Sequence, residues 1–276
     1  MNSGCANRML LLAGLSCLAI LAVAPAEDAK APTAEAPARV VTKVPGSQGP
    51  DGLPIELTGL YWAPKARLAP GILLLHHLGH SAWVFDDLAR RLHQEGYAVL
   101  AMNLRGHPES EVRKSGGMSW MRFEMTDFQA MVKDVDAARA CLAGQREVDP
   151  LRLGLIGEQF GAPLALAGGT SEAFRTAVLL SPPMNERTLK TPESLTAFGE
   201  RPCLAVASAD DPEAEKVLEA LKTAAKGRFE TVLQPADPSE NDFGAGMLSD
   251  ESKKELGERI LAFLRETLPP AAEPKP

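Results

Sequence analysis

The residues able to do chemistry sit in a few short segments. Gly157-Glu158-Gln159-Phe160-Gly161 places two glycines around a central residue, after the apolar run Leu151 to Ile156 and before the helical pattern Ala162 to Ala167. Glycines so spaced let a strand turn sharply into a helix and push the middle side chain outward, which suits a nucleophile. The middle residue is Gln159. An amide has no oxygen that a neighbouring base could deprotonate, as it could a Ser hydroxyl or a Cys thiol. The histidines are His76, His77, His80, His93 and His107, and none follows Gln159. Downstream, Asp211 precedes Pro212. It could orient a base, but the expected role is a helix cap, with Asp211 at the N-cap and Pro212 at the first helical position.

Other constellations carry less. Ser81, Ser119 and Ser171 each follow a glycine by two positions, but no closing glycine comes after them, so they are read as turn or cap residues. His76, His77 and His80 lie on a strand-end loop without the one-face spacing a helix would give, so no metal site is assigned. No cofactor is expected. Met118, Trp120, Met121, Phe123 and Met125 form an apolar cluster that both packs the core and walls a pocket beside the Gln159 turn.

These segments must be positioned by alternating strands and helices. Strands are expected at Ile55 to Trp62, Ile72 to Leu75, Tyr97 to Met102, Leu151 to Ile156, Thr176 to Leu180, Cys203 to Ala207 and Phe229 to Leu233. Helices are expected at Phe85 to Glu95, Asp127 to Leu142, from Ala162, at Pro212 to Ala225 and at Ser252 to Leu268. Such alternation predicts an α/β fold, a mostly parallel sheet of about seven to eight strands with helices on both faces. Ligands of such sheets bind at the carboxyl ends of the strands. The loops after Leu75, Met102, Ile156, Leu180, Ala207 and Leu233 are therefore where a site is expected.

Three of those loops resemble the α/β-hydrolase superfamily, most nearly its small, capless esterase-like members. Leu73-Leu74-Leu75-His76-His77-Leu78-Gly79 is similar to the oxyanion-hole loop, with His77 where a Gly is usual. Asn103-Leu104-Arg105-Gly106-His107-Pro108-Glu109-Ser110 resembles D-x-R-G-H-G-x-S, with Asn for Asp and Pro for the second Gly. Gly157 to Gly161 stands where the nucleophile elbow G-x-S-x-G belongs. The resemblance spans residues 52 to 268. It implies a triad in chain order nucleophile, acid, histidine, with Gln159, Asp211 and Phe243 at those positions. Phe243 stands before Gly244, where the resemblance implies a His-Gly pair, and phenylalanine moves no proton. Catalytic residues are accordingly expected to be absent. His76, His77, Trp120, Glu158, Gln159 and Phe160 are the expected ligand-binding residues.

The ends of the chain differ from its middle. Arg8, the apolar run Met9 to Val23 and Ala24-Pro25-Ala26 read as a cleaved secretory signal over 1–26, predicting an exported, periplasmic or secreted protein. A lipoprotein built on Cys17, or a retained tether, ranks below that reading. Residues 27–50 read as an Ala/Pro-rich linker, 51–268 as the domain and 269–276 as a tail. No membrane span is expected after cleavage. Cys141 and Cys203 would remain, as a disulfide or as two thiols. A composition 45% hydrophobic supports a sizeable core, and a net charge of −7 without a basic run argues against nucleic acid. The expected function is a pseudoenzyme binding a small molecule or a protein partner. The alternatives are a hydrolase with rearranged chemistry, with His77 or His80 as base, and a structural adaptor with a closed pocket.

Overall fold

The computed structural model describes residues 36–107, 110, 118–235, 243–248 and 254–271. In chain order the elements are β1 (Ala38–Gln48), β2 (Pro54–Trp62), β3 (Ala69–Leu75), α1 (Asp86–Gln94), β4 (Ala98–Met102), α2 (Met125–Ala130), α3 (Val132–Ala143), β5 (Val148–Glu158), α4 (Gly161–Gly168), β6 (Phe174–Leu180), β7 (Asn185–Glu186), β8 (Leu189–Lys190), α5 (Thr191–Phe198), β9 (Cys203–Ser208), α6 (Ala214–Ala224), β10 (Phe229–Gln234) and α7 (Lys254–Thr267). One sheet has the order β1-β2-β4-β3-β5-β6-β9-β10, and β7 pairs with β8 apart from it. β2 runs antiparallel to β1 and to β4, and the other pairs of the large sheet are parallel.

Every residue of β3, β4 and β9 is buried, the pattern of strands covered on both faces. Successive side chains of β3 go to opposite layers. Ile72 and Leu74 join Leu88 and Leu92 of α1 and Ile260, Phe263 and Leu264 of α7. Leu73 and Leu75 join α2 to α6 through Phe128, Val135, Leu164, Phe198 and Leu221. From β3 the chain steps outward to β4, then crosses β3 to reach β5. The strand order reverses at the β3–β5 boundary, and a crevice at the carboxyl ends of strands opens at such a reversal. Both the His76 and the Gln159 loops leave the sheet there.

The seven expected strands are all present. Three assignments differ. The segment read as linker over 27–50 is strand from Ala38 to Gln48, paired with β2, so the domain begins before residue 51. On this edge strand Val44 is the one residue fully buried, and Pro45-Gly46-Ser47 supplies turn residues inside it. Its register is held by backbone bonds that leave little apolar periodicity, and edge strands accept proline. The single helix expected over 127–142 is two helices. Its ladder tightens at Met131, where the Asp134 N–H donates to the Met131 carbonyl three residues back at 2.9 Å. The third difference is in 181–202, to which the sequence assigns no element and which holds the β7–β8 hairpin and α5.

The signal reading (1–26) and the last residues of the tail (272–276) lie outside the described residues. Among the described residues no helix is long and apolar enough to cross a membrane. Cys141 is half-buried, Cys203 is buried, and both are free thiols.

Val44 tests whether β1 belongs to the domain. It is 1% exposed, packed with Ile55 and Leu57. Val44→Asp is expected to lower unfolding free energy by about 2–5 kcal/mol, read by urea titration, because an unpaired carboxylate enters the core. A flexible tether would show no change.

Candidate functional site

The turn between β5 and α4 keeps a geometry that only glycine permits on either side. A Cβ on Gly157 would lie 2.2 Å from the Gly161 carbonyl oxygen, and one on Gly161 would lie 2.1 Å from the Leu75 carbonyl oxygen. Between them Gln159 adopts φ +45°, in the left-handed region. A non-glycine residue there costs about 1–3 kcal/mol. Hydrogen bonds hold it: the Gln159 N–H donates to Leu180 O at 2.8 Å, and the Ala162 N–H donates to Gln159 O at 2.9 Å. The sharp turn expected from the glycine spacing is therefore present, strained at its apex, where an amide stands.

Beside the apex, Glu158 is a knot. Its side chain is 1% exposed. Oε1 accepts the His77 N–H at 3.0 Å and pairs with His80 Nδ1 at 2.9 Å; Oε2 accepts the Ala245 N–H at 2.7 Å. The carboxylate thus joins the loop after β3 to the 3-10 turn Gly244–Leu248. That turn comes close: a Cβ on Gly244, itself at φ +58°, would lie 2.4 Å from Oε2. The Gly244 N–H also donates to the buried Ser181 Oγ at 3.0 Å. Burying a carboxylate is tolerated when donors surround it, and here three do.

The histidines divide by environment. Burial drives His76 down to about 3, so it is a neutral ring; its Nδ1 bonds the His77 carbonyl at 2.7 Å and its Nε2 accepts the Leu104 N–H at 3.0 Å. Burial also lowers His107, whose Nε2 accepts the Gly79 N–H at 2.9 Å while Nδ1 faces the Arg105 and Leu104 carbonyls. Each ring splices the loop after β3 to the loop after β4. His107 also stacks on Trp120, with centroids 5.8 Å apart. His77 is lowered chiefly by burial and secondly by the charge of His80, and its Nδ1 faces the Phe160 N–H at 3.5 Å. His80 goes the other way, raised first by its hydrogen bond to Glu158, and its side chain is 45% exposed.

The rest of the Asn103–Ser110 segment is scaffold; Pro108 and Glu109 lie outside the described residues. The Asn103 side chain accepts from the Ala82 N–H at 2.7 Å and donates to Thr58 Oγ1 at 3.2 Å. Arg105 and Asp134 form a buried two-pronged ion pair. Burial raises Asp134, and the guanidinium opposes that shift.

The expected ligand-binding residues therefore separate. His76, Glu158 and Phe160 are buried and at most 1% exposed, so they hold the site and do not line it. His77, Gln159 and Trp120 are partly exposed at the surface. Phe243 is 37% exposed. Asp211 makes the bond expected of a cap, accepting the Glu213 N–H two residues on at 2.9 Å, but the regular turns of α6 begin only at Ala214, after Glu213. Among the described residues no histidine bonds to it. Nor does any group of three His, Cys, Asp or Glu side chains there form a metal-binding set.

Two residues at the site belong to no sequence motif. Ser181, at φ +46°, receives the Gly244 N–H. Arg187, in the β7–β8 hairpin, lies 5.0 Å over the Phe128 ring, which itself packs on Phe160, and its charge helps lower His77. Only the hairpin's return toward the elbow brings Arg187 near.

The sheet order, the two helical layers and the glycine-framed turn at the β3–β5 boundary define an α/β-hydrolase fold. The sequence pattern of the serine aminopeptidase S33 family matches residues 68–208, half of the chain, and the chain belongs to that family. Two uncharacterized proteins, one from each of two strains of Mycobacterium tuberculosis, are 32% identical over 113 residues. The match covers 41% of this chain and only 36% of their length. Among solved structures, a dienelactone hydrolase from Anabaena variabilis superposes with a TM-score of 0.64 at 17% identity, covering 85% of this chain and all of that one. The peroxisomal α/β-hydrolase Lpx1 of Saccharomyces cerevisiae gives 0.62 at 13% identity over 87% of this chain and 92% of its own. An esterase of Pyrococcus furiosus gives 0.60 at 17% over 84% and 91%. At such identities the likeness is one of fold.

Two stability measurements probe this geometry. Gln159→Gly is expected to raise unfolding free energy by up to about 1 kcal/mol, since relief of left-handed strain exceeds the added entropy of the unfolded chain. A loss would mean that the Gln159 side chain holds the turn. The second concerns pH. A raised folded-state pKa means His80 stabilises fully below the unfolded value of about 6.5 and loses that contribution as pH rises through the folded value. The stability gap between the protein and His80→Ala should accordingly be wider at about pH 6 than at about pH 8.5. Equal gaps would separate His80 from Glu158 in solution.

Proposed function

We propose that this protein is a non-hydrolytic member of its family, which uses the elbow and the loops around it to bind a small molecule or a protein partner in an exported compartment. The observation that carries this is the apex itself. The fold still strains the backbone at Gln159 to present its side chain, yet that side chain offers an amide. No histidine follows it in the sequence, and the position before Gly244 is Phe243. Removing a nucleophile or its base typically costs a serine hydrolase on the order of a millionfold in turnover. What such a site retains is hydrogen bonding: the Gln159 amide, the His77 ring and the nearby Arg187 guanidinium. Trp83, Met121, Met125 and Phe243 are all large apolar residues left exposed, on the segments that follow β3 and β4 and precede α7. A partner surface would make use of them. The apolar segment Met9 to Val23 supports export.

One observation favours a second reading, a hydrolase with rearranged chemistry. His80 and Glu158 are bonded at 2.9 Å beside the elbow, with the imidazole partly in solvent, so His80 could draw a proton from water. Hydrolysis of p-nitrophenyl acetate separates the two. Under the binding reading the protein, Gln159→Ser and His80→Ala share one non-saturable background rate. Saturable turnover falling about 10²–10⁴-fold in His80→Ala would instead establish the hydrolase.

A further inference from the structure

At the far end of the sheet from Gln159, where β5, β6 and β9 begin, a groove of about 860 Å³ opens between the end of α5 and the end of α7. It falls within the size range of small-molecule sites, roughly 300–1,000 Å³. Three arginines line it: Arg152, Arg175 and Arg201. None forms an ion pair with a carboxylate among the described residues, unlike Arg105, Arg228 and Arg265.

Their bonds within the described residues all go to backbone carbonyls. Arg201 donates through Nε to Phe198 O at 2.7 Å and through one terminal nitrogen to Gly169 O, Ser171 O and Phe174 O, and it lies 3.7 Å over the Phe198 ring. Arg175 donates through Nε to Leu151 O at 3.1 Å, and Arg152 through one terminal nitrogen to Pro269 O. Carbonyl dipoles orient these planar groups without neutralising them, and among the described residues each keeps at least one terminal nitrogen without a partner. Burial lowers the pKa of Arg201, yet a guanidinium stays charged. Three charges are thus held in one concavity by contacts that fix their directions, the preorganisation that makes arginine a binder of phosphate and carboxylate. Glu172 and Glu200 line the same groove; neither forms an ion pair with the three, although the charge of Glu172 acts on Arg201 and partly offsets its burial. They leave a small positive surplus, which suits a compact anion and not a polyanion such as nucleic acid.

We propose that this groove is a binding site for a small molecule bearing one phosphate or carboxylate group, separate from the elbow. The test is the thermal midpoint of the full chain titrated with sodium phosphate or sodium acetate against sodium chloride at matched ionic strength. Expected is a saturable rise with phosphate, acetate or both that exceeds chloride, the stronger anion naming the ligand group. The apparent dissociation constant should rise about ten-fold or more in Arg152→Ala/Arg175→Ala, since charge-assisted bonds to the anion are lost. Arg139→Ala, which removes a half-buried charge on α3 paired with Asp136, should leave it unchanged. Should the double variant unfold, Arg175→Glu alone carries the same expectation, because Arg175 is exposed and spends a single bond on the backbone. No anion-specific rise, or a rise that survives these groove variants, would overturn the proposal.

Discussion

At Gly161 the first turn of α4 passes so close to the Leu75 carbonyl that a methyl group could not fit between them. This contact brings the end of β3, the end of β5 and the start of α4 together, and the loops around the candidate site take their positions from it. Gly157 closes against Gly161 on the other side, which leaves Gln159 only a left-handed backbone to link strand and helix. A substitution that added bulk at either glycine would have to part the helix from the sheet.

Glu158 extends that junction outward. Because β5 ends there, its side chain is delivered into the space between the loop after β3 and the turn before α7, and backbone N–H groups from both sides converge on it. A carboxylate buried in this way is costly unless its oxygens are satisfied, and once satisfied it resists any motion that would strip a donor away. Gly244 has no side chain where one would strike this carboxylate, so the turn can approach closely enough for Ala245 to bond. The polar residues of the loop after β4 do similar work one layer away: Asn103, Arg105 and His107 are each spent on neighbours. Much of what looks reactive in this sequence is holding loops in place.

The glycines and the apolar runs are legible in the amino-acid order alone. Runs such as Ile72 to Leu75 are buried on both faces and say so in their composition, and the Gly157–Gly161 spacing announces the strained turn. The edge strand β1 is hidden because its stability comes from backbone pairing with β2, and its single fully buried side chain, Val44, makes no pattern. The β7–β8 hairpin, too short for any periodicity, is hidden likewise. In the site, residue types identify the neighbourhood but not the roles. His76 and His80 are four positions apart in one loop, yet one is a neutral core ring and the other a partly exposed partner of a carboxylate. That difference depends on which backbone groups lie opposite each ring, and spacing does not encode it. Arg187 reaches the elbow only through tertiary packing.

The two neutral imidazoles have an opposite sense from His80. His76 and His107 each use a bare Nε2 to receive a backbone N–H, so a proton added there would set donor against donor. Their lowered folded-state values mean that they favour the folded loops above the unfolded value of about 6.5 and give up that contribution as pH falls below it. His80 releases its hold as the solution becomes alkaline. The clasp around the elbow therefore has an acid-side catch and an alkaline-side catch. The folded loops around the elbow are held most firmly between the two, and both acid and alkali weaken that hold.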